Sequence, residues 1–136
     1  MLISVHKDDV LRALKRFRRL AKQDLLMSEH TSDPAYWKEQ AEARRRTYAA
    51  LIEWVSQRGV DAAHQEAIRA YAALPLLRAK GEDPVTSGSE QAFELFFLTI
   101  GIAEKELVRM RNGRRKRQSS ASDGRKAEKA VLQAGI

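Results

Sequence analysis

Residues 10–25 read VLRALKRFRRLAKQDL. Within them Val10, Leu14, Phe17, Ala21 and Leu25 recur at spacings of four, three, four and four, so one face of a helix is apolar. Strand-like alternation is absent. Arg12, Lys15, Arg16, Arg19 and Lys22 fall on the opposite face. A helix with one apolar stripe must bury it against another element, and the rest of the chain supplies further helices. Asp8 and Asp9 suit the positive end of this first helix, which the pattern carries to about Glu29.

Asp33-Pro34 starts the second helix. The aspartate can cap free amides, and proline at the first helical position gives up no needed donor. The helix is expected to run to about Arg58 and to stop at Gly59. Its apolar stripe is Trp37, Ala41, Tyr48, Leu51, Ile52 and Val55, with Trp37 expected in the core. A third helix follows at once, capped by Asp61 and including Ile68 and Tyr71. Pro75 must kink or break it, because its ring clashes with the preceding turn and removes an amide donor. A short extra turn from Pro75 to about Gly81 is expected.

Ser87 and Glu90 have capping-box spacing, so a fourth helix is read from there through Phe93, Phe96, Phe97, Ile100, Ala103 and Leu107 to Met110. Short connections favour antiparallel neighbours. The expected fold is all-α, an up-and-down bundle of four main helices over residues 1–112. Residues 113–136 are expected to form a disordered basic tail, with a short helix near 126–134 on binding a partner.

Charge is divided unevenly along the chain. Arg111, Arg114, Arg115, Lys116, Arg117, Arg125, Lys126 and Lys129 stand against only Asp123 and Glu128, so this end carries most of the net charge of +7. Such an arm can neutralise phosphates without a defined geometry. The candidate nucleic-acid contacts are therefore Arg111, Arg114, Arg115, Lys116, Arg117, Arg125 and Lys126 of the tail, with Arg12, Lys15, Arg16 and Arg19 of the first helix. Arg114–Arg117 lie beyond the last apolar turn of this reading and are expected to contribute nothing to stability. The tail has no aromatic residue for base stacking, so its contacts are expected to be with the backbone. The first-helix face has a bland reading too: pairing with Glu39, Glu42 or Glu53 of the neighbouring helix.

Arg44 is the odd member of Arg44-Arg45-Arg46, because it falls between Trp37, Ala41, Tyr48 and Val55 on the apolar stripe. Stacking on Trp37 or Tyr48, or pairing with an acid, makes it structural. The other reading is a ligand or partner pocket.

Catalysis is not expected. His6, His30 and His64 are scattered, without the i, i+4 spacing of a helical metal site. No cofactor or metal is expected. Arg58 and His64, with five residues between them, resemble the Arg…His motif of HEPN-type ribonucleases, although Gly59 separates them and the polar residue after the arginine is missing. Gly59-Val60-Asp61 resembles the turn of a helix-turn-helix, but the helix before it is too long and Gln65 stands at a normally apolar position.

There is no cysteine, which fits a reducing cytoplasm. No secretory signal is expected, since Lys7, Asp8 and Asp9 come before any apolar run. The apolar stretch 92–103 is far below the ~20 residues of a membrane span. The sequence thus points to a cytoplasmic, non-enzymatic accessory protein that touches nucleic acid or a nucleoprotein machine through its tail, the bundle making protein contacts. The alternative is an adaptor or inhibitor without a nucleic-acid role, and a HEPN-like ribonuclease is a distant third.

Overall fold

Local signals fix most of the element boundaries in the computed structural model, which describes residues 3–76 and 82–114. Helix α1 spans Lys7–Met27 and ends in a 3-10 turn, Ser28–His30; α2 spans Pro34–Arg58, α3 Val60–Ala72 and α4 Pro84–Thr99. A fifth helix, α5, begins at residue 104 and reaches the last described residue, 114. Among the described residues the fold is an all-α helical bundle, with five α-helices where four main helices were expected.

Two Asp-Pro pairs start helices in the same way. Asp33 accepts the Tyr36 amide at 3.3 Å, and Asp83 accepts the Thr86 amide at 3.1 Å. Each proline occupies the first turn, where its missing amide costs nothing. The cap of α4 is therefore Asp83, and the expected Ser87–Glu90 capping box lies inside the helix. Asp61 is not a cap either. Gly59, with φ of +90°, is the single junction residue between α2 and α3, and Asp61 in the first turn of α3 accepts the Ile3 amide at 2.9 Å. Pro75 breaks α3 instead of kinking it, since the helix ends at Ala72. The expected turn from Pro75 to Gly81 falls mostly outside the described residues.

The largest departure is at Gly101. The apolar pattern from Phe93 to Met110 belongs to two helices, folded back at a left-handed glycine with φ of +94°. The Ile102 amide donates to the Phe97 carbonyl at 2.9 Å, and the Gly101 amide to Leu98 at 3.1 Å. This is the paired hydrogen-bond pattern that closes a helix end around a glycine.

Helices α1 and α2 form an antiparallel hairpin. Lys7 Nζ donates to the Ser56 carbonyl at 3.0 Å at one end. Phe17 and Tyr48 meet in the middle, with ring centroids 5.6 Å apart. Arg44 and Asp24 pair at 2.8 Å towards the other end. The central helix α2 also contacts α3 and α4. One core runs through the molecule: Val10, Leu14 and Ala21 of α1, Tyr48, Leu51 and Val55 of α2, Ala63, Ala67 and Tyr71 of α3, Phe93, Phe96 and Phe97 of α4, and Leu107 of α5.

Phe97 is buried, as its stripe predicts, but Trp37 is not: it is 42 % exposed. Trp37 sits in the first turn of α2, two turns before Arg44, which pairs with Asp24 near the end of α1.

The α2–α4 crossing is close enough to require glycine. A Cβ at Gly88 would lie 2.3 Å from the Gln40 carbonyl oxygen, 2.9 Å from Ala43 Cβ and 3.2 Å from the Arg44 amide nitrogen. Beside it, Thr47 Oγ1 donates to Ser89 Oγ at 3.2 Å and Gln40 Nε2 to Gln91 Oε1 at 2.8 Å. Gly88→Ala is therefore expected to destabilise the protein by about 2 kcal/mol or more, because the helices must separate. At an unconstrained helical site the same change stabilises by roughly 0.5–1 kcal/mol. Urea denaturation distinguishes the two signs.

Candidate nucleic-acid interface

The outer face of α1 presents a row of cations, of which Arg12 alone has a carboxylate partner among the described residues. Arg12 pairs with Asp9 at 3.5 Å, one turn away, and not with Asp8. Lys15, Arg16, Arg19 and Lys22 are exposed, and among the described residues none has a carboxylate partner. The acids of α2 do not reach them. Glu42 is engaged by Arg45 of its own helix at 2.7 and 3.0 Å, and Glu53 accepts from Gln57 at 3.3 Å.

Arg44 is structural. Its side chain is 12 % exposed and bridges Asp24 of α1, through Nη2 at 2.8 Å, to Gln40 Oε1, through Nε at 2.8 Å. Gln40 continues to Gln91 of α4, so one polar relay ties three helices together. The stacking expected of Arg44 does not occur: Tyr48 meets Phe17, and Trp37 packs edge-on against Tyr36. Burial raises the pKa of the Tyr48 phenol, partly offset by the positive charge of Arg44.

Two residues assigned to the tail belong to the folded body. Arg111 pairs with Glu94. Arg114, only 5 % exposed, pairs with Glu90 at 2.6 Å, and its guanidinium carbon lies 4.7 Å from the centroid of the Tyr71 ring. Tyr71 Oη in turn donates to Glu94 at 3.3 Å. The phenol pKa is pushed up to about 12, first by burial and then by the charge of Glu94. Glu90 and Glu94 stand one turn apart on α4, Arg111 and Arg114 one turn apart on α5, and the pairs zip the two helices together antiparallel. Arg111 and Arg114 are thus spent on internal contacts. The expectation that the 114–117 run has no part in stability fails at Arg114, and the boundary at 112 falls inside α5. Arg115, Lys116, Arg117, Arg125 and Lys126, and the short helix expected near 126–134, lie outside the described residues.

Among the described residues no hydrogen bond or ion pair joins the cations of α1 to α5. Two of the histidines make local structural contacts. His6 Nδ1 accepts the Asp8 amide at 3.2 Å and caps α1. His64 is half-buried, edge-on to Phe97 with centroids 6.0 Å apart. No hydrogen bond links it to Arg58, and no group of three potential metal ligands occurs among the described residues. The one-residue junction at Gly59 also differs from the three- or four-residue turn of a helix-turn-helix. No described helix is long and apolar enough to cross a membrane. Comparison of the chain with protein-family models, with curated proteins and with solved structures gave no match.

The structure assigns opposite consequences to two arginines of α5. Removing Arg114 leaves Glu90 without its partner in a shielded site, and Arg114→Ala is expected to cost about 3 kcal/mol of unfolding free energy. Arg109, whose pair with Glu106 at 3.4 Å is solvent-exposed, is expected to change stability by less than ~0.5 kcal/mol on substitution by alanine. Equal effects in chemical denaturation would show that Arg114 does not dock α5.

His64 generates a pH dependence. Burial lowers its pKa below the ordinary imidazole value, against the opposing charge of Asp61. The unfolded chain therefore takes up the proton first. The contribution of His64 is complete above pH ~6.5 and is lost as the pH falls through the folded value. His64→Gln is expected to shrink the drop in melting temperature between pH 7.5 and pH 5; an unchanged drop would exclude this role.

Proposed function

We propose that this protein is a small, non-enzymatic accessory protein that contacts nucleic acid, or a nucleoprotein machine, through two cationic elements. One is the outer face of α1, with Arg12, Lys15, Arg16, Arg19 and Lys22. The other is the basic segment from Arg115 onward, with Arg115, Lys116, Arg117, Arg125 and Lys126. Arg111 and Arg114 are withdrawn from the contact set. The observation that carries the reading is the contrast in pairing. Arg44, Arg45, Arg69, Arg109, Arg111 and Arg114 each hold a carboxylate, as does Arg12 at the start of α1, whereas Lys15, Arg16, Arg19 and Lys22 further along α1 hold none. Unneutralised cations in a row supply the counterion release that drives binding to phosphate backbones. No cofactor enters this reading, which places the protein in the cytoplasm.

An adaptor or inhibitor without nucleic-acid affinity is the second reading. It draws on the exposed apolar residues Leu20, Leu26 and Met27 beside the same cations.

Salt dependence separates the two. Binding of the full chain to DNA of unrelated sequences is expected to weaken steeply and alike as salt rises. Replacing Lys15, Arg16, Arg19 and Lys22 together by glutamine should make the log–log slope shallower by up to about 3–4 units on duplex DNA. The triple change of Arg115, Lys116 and Arg117 to alanine should remove up to about 2–3 units, with unfolding midpoints preserved in both variants. Absence of binding by the parent protein at about 0.15 M salt would favour the adaptor. Retention of the full slope in both variants would refute the assigned surfaces.

A further inference from the structure

We infer that the last turn of α5 is a latch, held shut by two carboxylates of α4 and opened by a polyanion. In the docked state Glu94 and Glu90 occupy Arg111 and Arg114. A phosphate backbone bound along the basic run displaces the carboxylates and takes both arginines. The inference rests on the phosphate-binding role proposed for the segment from Arg115 onward, and adds how that role is controlled.

Residues 111–117 read RNGRRKR, five cations in seven positions. The first two are held by the body, Arg111 through Glu94 and Arg114 through Glu90. Part of one basic run is thus matched internally to carboxylates. For a guanidinium, carboxylate and phosphate are competing acceptors of the same kind, since both take its fork of N–H donors.

The turn that carries these two arginines is a weak piece of helix. Asn112 and Gly113 stand between them, inside α5, and both are poor helix formers. Asn112 is exposed. The apolar anchors of α5 lie earlier, at buried Leu107 and half-buried Met110. The two guanidiniums are therefore the side chains that tie residues 111–114 to α4.

The docked arrangement also leaves Arg114 incompletely bonded. It gives Nη2 to Glu90 at 2.6 Å, but its buried Nε and Nη1 find no hydrogen-bond acceptor among the described residues. Buried donors without acceptors favour any state in which they reach water or phosphate. The carboxylates are provided for when the turn lifts. Tyr71 Oη still donates to Glu94, and Glu90, 27 % exposed while paired, opens to water. Phosphates gathered by Arg115, Lys116 and Arg117 stand next to Arg114 in the chain, so their local concentration drives the exchange.

The test combines the salt slope and the hydrogen exchange of the full chain with duplex DNA. Replacing both arginines, Arg111→Gln with Arg114→Gln, is expected to make the log–log slope shallower by up to about 2 units. In the parent protein the amides of residues 111–114 should lose protection when DNA is added, while those of α4 keep theirs. Circular dichroism checks that the double variant folds. If it does not, exchange in the parent decides. An unchanged slope in the folded variant would overturn the latch, because the arginines would not have passed to phosphate. Unchanged or slower exchange at 111–114 in the complex would overturn it too. Either result leaves the phosphate-binding role standing, whereas no binding of the parent to DNA would overturn both.

Discussion

The α2–α4 contact at Gly88 is the constraint on which the rest of the bundle depends. There the backbones approach until a single added carbon would sit 2.3 Å from the Gln40 carbonyl oxygen. Helix α2 carries α1 on one side, and α4 carries α5 on the other. The crossing therefore sets how the two helical hairpins sit against each other. Ala43, Thr47, Gln40 and Ser89 suit this site for the same reason. Their side chains are small, or they spend their polar atoms on a neighbour across the crossing. A larger residue anywhere in that group would move α4, and with it the carboxylates that hold α5.

Polar contacts then finish what apolar packing begins. Helix α5 brings few large apolar groups to the body: Leu107 is buried and Met110 is half-buried. Its docking leans on Arg111 and Arg114 against Glu94, Glu90 and the Tyr71 ring. Such shielded pairs depend on correct partners more than they add net stability. Their geometry specifies one register: Arg114 with Glu90 and Arg111 with Glu94. Slipping α5 by one turn would leave a guanidinium and a carboxylate unmatched. Arg44 plays the comparable part between α1, α2 and α4. In both places arginine is the suitable cation, because its planar group can serve two partners at once.

The helices were legible in the sequence wherever a residue type has one local use. Asp33-Pro34 and Gly59 did what their chemistry dictates, and Pro75 ended α3. Asp83-Pro84 carried the same start signal as Asp33-Pro34, yet the Ser87–Glu90 spacing drew the reading inward. Gly101 was the consequential omission. Both arms of the α4–α5 hairpin are apolar on the inner face, so periodicity continues through the turn and hides it. Taking residues 87–110 as one helix placed Arg114 past the end of the fold and made it look like the start of a tail. A reversal at Gly101 would instead have set Glu90 and Glu94 opposite Arg114 and Arg111, and the matched one-turn spacings would have revealed the pairing. Trp37 failed for a different reason. A helical stripe says which way a side chain points, but not whether the neighbouring helix is long enough to reach it.

That distinction also governs the electrostatics. A net charge of +7 says little about where a polyanion would feel attraction, because a paired arginine contributes little field beyond its partner. Seven arginines of the described body pair with a carboxylate at close range, and five of these pairs involve α4 or α5 or lie within a single turn of α2 or α3. Helix α1 differs because its acids lie near its ends: Asp9 pairs with Arg12 at its start, and Asp24 is taken by Arg44. Between them Lys15, Arg16, Arg19 and Lys22 add their fields over about two turns of helix. The basic run that begins at Arg115 follows directly in sequence on Arg114, which pairs with Glu90.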